Sequence, residues 1–278
     1  MPRRVDGNNV LYHYIQKVIL PRDDDFSREL VRRLILDLSI WLPVELYRAA
    51  PVLLPYCVRD ASIKSKEWGS PNQEGYLRDN NSILKFLVSS YSIRSPLVKV
   101  YVRHGRGCNF TASHCWRKIE IGGESQYATT HPQTYSFIPN LAWLPAQVAK
   151  LTDHEGSYAQ QLLQAVSHRL YRAEASRLPA EIAAIWESLP EPAVDVDIDL
   201  DGLNFFEVSP RSVKMRRNIL LREIDLILRT LEGGRAAGKS PRSARYLPAL
   251  ANLPCEQTGG LARWLRLYEQ YLAGPAAG

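Results

Sequence analysis

The sequence predicts an α+β fold in which a helix-rich scaffold surrounds a ββα-type core and carries an additional β-hairpin. Three observations point there. Apolar residues recur at helical spacing in long stretches near both ends of the chain. Short alternating runs in the middle read as strands. Asp201-Gly202, a pair that two-residue hairpin turns favour, lies between two further alternating runs. With 278 residues, 45% hydrophobic and 23% charged, the chain can close a core without disulfides or structural metals.

In chain order, "FSRELVRRLILDLSIWL" at 26–42 sets Phe26, Leu30, Val31, Leu34, Ile35, Leu38 and Leu42 at helical spacing, and Pro43 marks the end of that helix or the start of the next. "VELYRAAPVLLPY" continues as a shorter helix and a proline-broken apolar segment. Residues 66–82 read as a loop, because Gly69, Pro71, Gly75 and the Asn80-Asn81 pair break any periodicity. The loop's Lys66, Trp68, Tyr76, Arg78, Asn80 and Asn81 suit contacts to phosphates and base edges, and equally suit an ordinary surface. "LVKVYVRH" (97–104) alternates as a strand, "NFTASHCW" (109–116) is the next, and "NLAWLP" (140–145) runs into a helix over 146–174 with a break at Gly156. Helices at 179–188, 212–234 and 258–273 follow, and "VDVDIDLDGLNFFEVS" (194–209) is the expected hairpin. The chain thus divides into a helical and basic-loop region at 1–96, a ββα-like core with a long helix at 97–190, and the hairpin with C-terminal helices at 191–278, all expected to pack as one unit.

The N-terminal residues contain no apolar run that fits a signal peptide, and no window approaches the roughly 18 apolar residues of a membrane helix. A cytoplasmic protein that does not engage membranes is expected. Cys57, Cys108, Cys115 and Cys255 form no CxxC pair, which argues against a zinc ribbon and for free thiols. The net charge of +6 is uneven. Between Arg59 and Lys118, eleven Lys and Arg stand against Asp60, Glu67, Glu74 and Asp79. Such an excess suits a polyanion, and Lys64, Lys66, Arg78, Arg103, Arg106, Arg117 and Lys118 are the candidate DNA contacts.

Two motif matches carry little. "GGRAAGKS" (233–240) has phosphate-loop spacing, but a helix precedes it and Pro241 follows, where the chemistry needs a strand and then a helix. "DIDLDG" (197–202) starts like a calcium loop, yet Glu207 falls one position short of the closing ligand. A stronger alternative uses the hairpin carboxylates. Asp197 or Asp199 with Glu207, and Lys214 reaching back, could hold Mg²⁺ as many DNA nucleases do. Regular two-residue-turn register turns Glu207 away from both aspartates, and a bulge would bring them together.

His114, ending one strand, and Asn140, heading another, resemble the HNH, or ββα-metal, endonuclease family. "SHCW" matches the first strand, and "PNLAWLPAQVAKLTDH" matches in its Asn-Leu start, its Leu four residues after the Asn, and its switch from strand to helix. The resemblance implies His114 as general base, Asn140 as the residue that pins the turn, and Asp153 or His154 as ligands of one divalent ion, Mg²⁺. Lys150 would supply part of the cation's charge. Phosphodiester hydrolysis needs just such a base and such a positive charge. The chain departs from the family with Ser113 where a metal ligand usually precedes the base, and with Ala149 where the first helix ligand falls. The activity implied is endonucleolytic cleavage of double-stranded DNA, of restriction type by analogy with compact stand-alone nucleases, with a homodimer matching palindromic sites. From another class, a non-catalytic DNA- or RNA-binding protein would use the same basic region.

Overall fold

The computed structural model describes residues 25–64, 69–105, 109–194, 196–233 and 245–274. Lys66, Arg106 and residues 234–240 of the phosphate-loop match lie outside them. Helix outweighs strand, and the fold is α+β. No helix among the described residues is long and apolar enough to cross a membrane.

Helix α1 (Asp25–Leu36) buries Val31, Ile35 and Leu36 against the core. It stops earlier than its apolar spacing suggests. Asn204 donates to the carbonyls of Asp37 (2.8 Å) and Ser39 (2.9 Å), so the chain can leave the helix without orphaning them. Strand β1 (Ile40–Trp41) and α2 (Val44–Ala49) follow. Strands β2 (Cys57–Arg59) and β3 (Leu77–Asp79) pair in parallel, and α3 (Ser82–Leu87) and β4 (Ser92–Arg94) come next.

The stretch 97–104 is not the expected strand. Ser95 Oγ accepts from the Val98 N–H at 2.8 Å and tightens the chain into a 3₁₀ turn at Lys99–Tyr101, with Leu97 and Val100 exposed. Strand β5 (Phe110–His114) pairs antiparallel with β8 (Leu141–Pro145), His114 opposite Leu141. A separate hairpin of β6 (Lys118–Ile121) and β7 (Glu124–Tyr127), then α4 (Pro132–Tyr135), fill the connection. β8 runs directly into α5 (Ala146–Ala149) and a 3₁₀ turn at Lys150–Thr152. The expected break at Gly156, which has φ +70, separates these from α6 (Tyr158–Tyr171). After α7 (Ala180–Ala183) come β9 (Asn204–Glu207), α8 (Pro210–Leu231), α9 (Tyr246–Leu250) and α10 (Cys255–Ala273).

The main sheet has the order β4-β9-β1-β8-β5. It takes β1 and β4 from the first sequence segment, β5 and β8 from the second and β9 from the third, so the three share one sheet. β8 is an interior strand between β1 and β5 and reads as a continuous buried run, Leu141 to Leu144, with Trp143 edge-on to Phe206 at 5.3 Å.

The hairpin expected at 194–209 does not form. Its turn would need φ > 0 at both central residues, and neither Asp201 nor Gly202 has it. Asp199 instead accepts from the Asp201 N–H at 3.0 Å and starts a 3₁₀ turn at Leu200–Gly202. Only Asn204–Glu207 becomes a strand, parallel to β1 and antiparallel to β4. Val194, Val196 and Ile198 still pack on the core, which accounts for their alternation without a ladder.

Candidate functional site: a cationic cleft beside His114

A cleft of ≈ 710 Å³ opens beside the edge strand β5, and Arg59, Asn81, His114, Arg117, Lys150 and Asp153 are on its wall. The fold explains why residues so distant in sequence meet. β2 and β3 run parallel with Arg59 opposite Asp79, so Arg59 and Asn81 emerge at the same end of that pair. His114 closes β5, Arg117 follows it, and Lys150 and Asp153 sit where the chain turns after β8.

His114 is buried, and its Nε2 lies 3.0 Å from the Tyr135 carbonyl. A carbonyl only accepts, so Nε2 carries the hydrogen and Nδ1 carries the lone pair of a neutral ring. Burial pushes the imidazole pKa down to about 4; the Tyr135 bond works against this, and Arg59 and Arg117 add to the lowering. The ring is therefore neutral at pH 7. Asp153 is exposed at the rim, yet the surrounding walls strip enough water from its carboxyl to raise its pKa, against the pull of Arg117, Arg59, His154 and Lys150.

Asn140 does not line the cleft. It is fully buried, its Oδ1 accepts from the Trp116 N–H at 2.7 Å, and its Nδ2 donates to the Thr134 carbonyl at 3.0 Å. The two bonds tie both ends of the β5–β8 connection to the head of β8. Tyr135 fixes the floor beneath. Its hydroxyl donates to Asp79 at 2.7 Å, and Asp79 also accepts from the Ser82 and Ile83 N–H groups, each at 3.1 Å.

The expected ligands of a divalent ion do not share the cleft wall. Among the described residues, no three His, Cys, Asp or Glu side chains converge where they could hold a metal. Asp153 is on the cleft wall and His154 is not. The wall around Asp153 is cationic, a donor set that fits an anion better than Mg²⁺. The alternative carboxylates fit no better. Asp197 is fully exposed 3.8 Å from Arg169, Asp199 is spent on its local turn, Glu207 accepts from the Ser92 hydroxyl, and Lys214 lies on an exposed face of α8.

The basic region of 59–118 is not one surface. Arg59 and Arg117 face the cleft, while Arg78 is paired with Asp60 at 3.3 Å and with Ser70. Arg103 hydrogen-bonds through its N–H to Ile93 of β4, at the opposite edge of the sheet from β5. Lys64 and Lys118 are exposed and off the cleft wall.

Comparison with family models, curated proteins and solved structures gives no match. The functional reading therefore rests on the geometry of this chain. Sequence reasoning counted Arg59 only as one charge among eleven and Asn81 only as a loop amide. Tyr135 left no signal, since it acts on His114 through its backbone carbonyl.

Proposed function

We propose that the chain is an endonuclease whose cleft holds the sugar–phosphate backbone of a nucleic acid and whose His114 is the general base. One observation carries this reading: a neutral imidazole, fixed through Nε2, shares a cleft with Arg59, Arg117 and Lys150. The three cations would offset the charge of the phosphate and of the transition state. Nδ1 would take the proton of the attacking oxygen. A bound phosphate would also cancel part of the field that Arg59 and Arg117 impose on the ring, so His114 gains basicity when substrate is in place. Double-stranded DNA cut by a homodimer is the substrate and state that the family resemblance proposes.

The test is to incubate plasmid DNA and RNA with the full chain and with His114→Ala, with EDTA and with Mg²⁺. The wild-type chain should cut at least one of them, and His114→Ala should cut at least about 100-fold more slowly while still binding. Binding without cleavage by the wild-type chain would select the non-catalytic reading.

A further inference from the structure

Asn81 places a neutral amide among the cations of the cleft wall. It is 8% exposed, and its Oδ1 has no hydrogen-bond partner among the described residues. A buried amide oxygen without a donor is costly, and a donor carried by a ligand would relieve it. Its backbone N–H faces the Tyr135 hydroxyl, while His114 is held by the Tyr135 carbonyl. One residue thus anchors both groups.

A ligand matched to this wall brings an anion for Arg59, Arg117 and Lys150, and beside it a hydrogen-bond donor for Asn81. The DNA backbone offers phosphates and no donor. The RNA backbone offers both, since each phosphate neighbours a 2′-hydroxyl. The 2′-hydroxyl also serves as an internal nucleophile, a reaction that asks the protein for a base and positive charge and for no resident metal.

We infer that the cleft takes an RNA strand, reads a 2′-hydroxyl with Asn81, and cleaves the strand by attack of the adjacent nucleotide's 2′-oxygen on its own 3′-phosphorus. The inference rests on the nuclease reading above. His114 Nδ1 takes the proton of the attacking hydroxyl, the 2′-O–P bond forms, and the P–O5′ bond breaks. The departing 5′-oxygen takes its proton from water, and His114 returns the proton it took to the hydroxide that forms. The products are a 2′,3′-cyclic phosphate and a 5′-hydroxyl, with nothing oxidised or reduced. Asn81 holds the neighbouring hydroxyl and so registers the strand against His114.

The experiment compares a short single-stranded RNA, DNA of the same sequence, and RNAs each carrying one 2′-deoxy sugar, all with EDTA. RNA should be cut to cyclic-phosphate ends, DNA should survive, and a deoxy sugar at the attacking position should block its linkage. A deoxy sugar at the neighbouring position should slow the wild-type chain about tenfold. Asn81→Gly suits the φ of +70 at this position without strain, and it should show the same loss and no further loss with that sugar. DNA cut as fast as RNA, or RNA products with free 3′-hydroxyls, would overturn this inference and leave the nuclease reading intact. Failure to cut either polymer under any condition would overturn both. The sugar substitutions need no variant, so they decide the matter even if Asn81→Gly does not fold.

Discussion

His114 donates its Nε2–H to the Tyr135 carbonyl across 3.0 Å, and the two rings stack at a centroid distance of 5.8 Å. Burial outweighs that bond and keeps the ring neutral inside the protein, with a pKa lowered from 6.5 to about 4. The unfolded chain protonates near the upper value, so between the two it binds more protons than the native state. Stability should fall as pH drops through that window, by ~3 kcal/mol, and level off below it. His114→Gln keeps an N–H for Tyr135 and cannot titrate. Urea unfolding of both proteins from pH 7 to pH 4 should show the wild-type chain losing ground to the variant. Parallel curves would mean that the ring is not buried in its neutral form.

Asn140 closes the connection that carries Arg117 and Tyr135 to the cleft. Asn140→Ala leaves the Trp116 N–H and the Thr134 carbonyl without partners, and should cost ~3 kcal/mol. Hydrogen exchange at the Trp116 amide should accelerate by more than global unfolding explains, because the connection opens locally. Unchanged protection at Trp116 would remove the pinning role.

The strand pair framing the cleft is legible in the sequence. "LAWLP" is apolar throughout because β8 lies inside the sheet between β1 and β5, and "FTASH" pairs with it residue for residue. Arg59 and Asn81 are not legible as cleft residues. They arrive through β2 and β3, strands of three residues that are too short to leave a periodic trace and are paired across a long loop. The 194–209 segment misleads for the converse reason. Its local signals favour a hairpin, but β9 finds partners in β1 and β4, and long-range pairing overrides the turn propensity of Asp201-Gly202.

Affinity for a nucleic acid should fall with salt in proportion to the cations that meet phosphates. Three contacts, from Arg59, Arg117 and Lys150, give a log–log slope of about −2 on a single strand. Arg117→Gln should flatten the slope by about 0.7. Arg103→Gln should leave it unchanged, because Arg103 lies with β4 at the far edge of the sheet. Fluorescence anisotropy titrations across a salt series measure both. Equal effects from the two variants would show that the ligand runs over the β4 edge and not through the cleft.

Glu207→Ala separates the two catalytic geometries that the sequence allows. Glu207 is exposed on β9 opposite Ser92, whose hydroxyl it accepts. Asp199 is engaged by the Asp201 N–H and Asp197 projects into solvent, so neither shares a ligand position with Glu207. Losing one exposed hydrogen bond should cost no more than ~1 kcal/mol. Cleavage should stay within about twofold of wild type, since nothing in the cleft depends on the residue. Rate and thermal stability need to be measured on the same preparation, because a variant that loses both says nothing about chemistry. A folded Glu207→Ala that cuts about 100-fold more slowly would place the reacting phosphate at β9. The low pKa and buried hydrogen bond of His114 would then describe a core histidine, and the cations of the cleft would be a docking surface beside an active site located elsewhere.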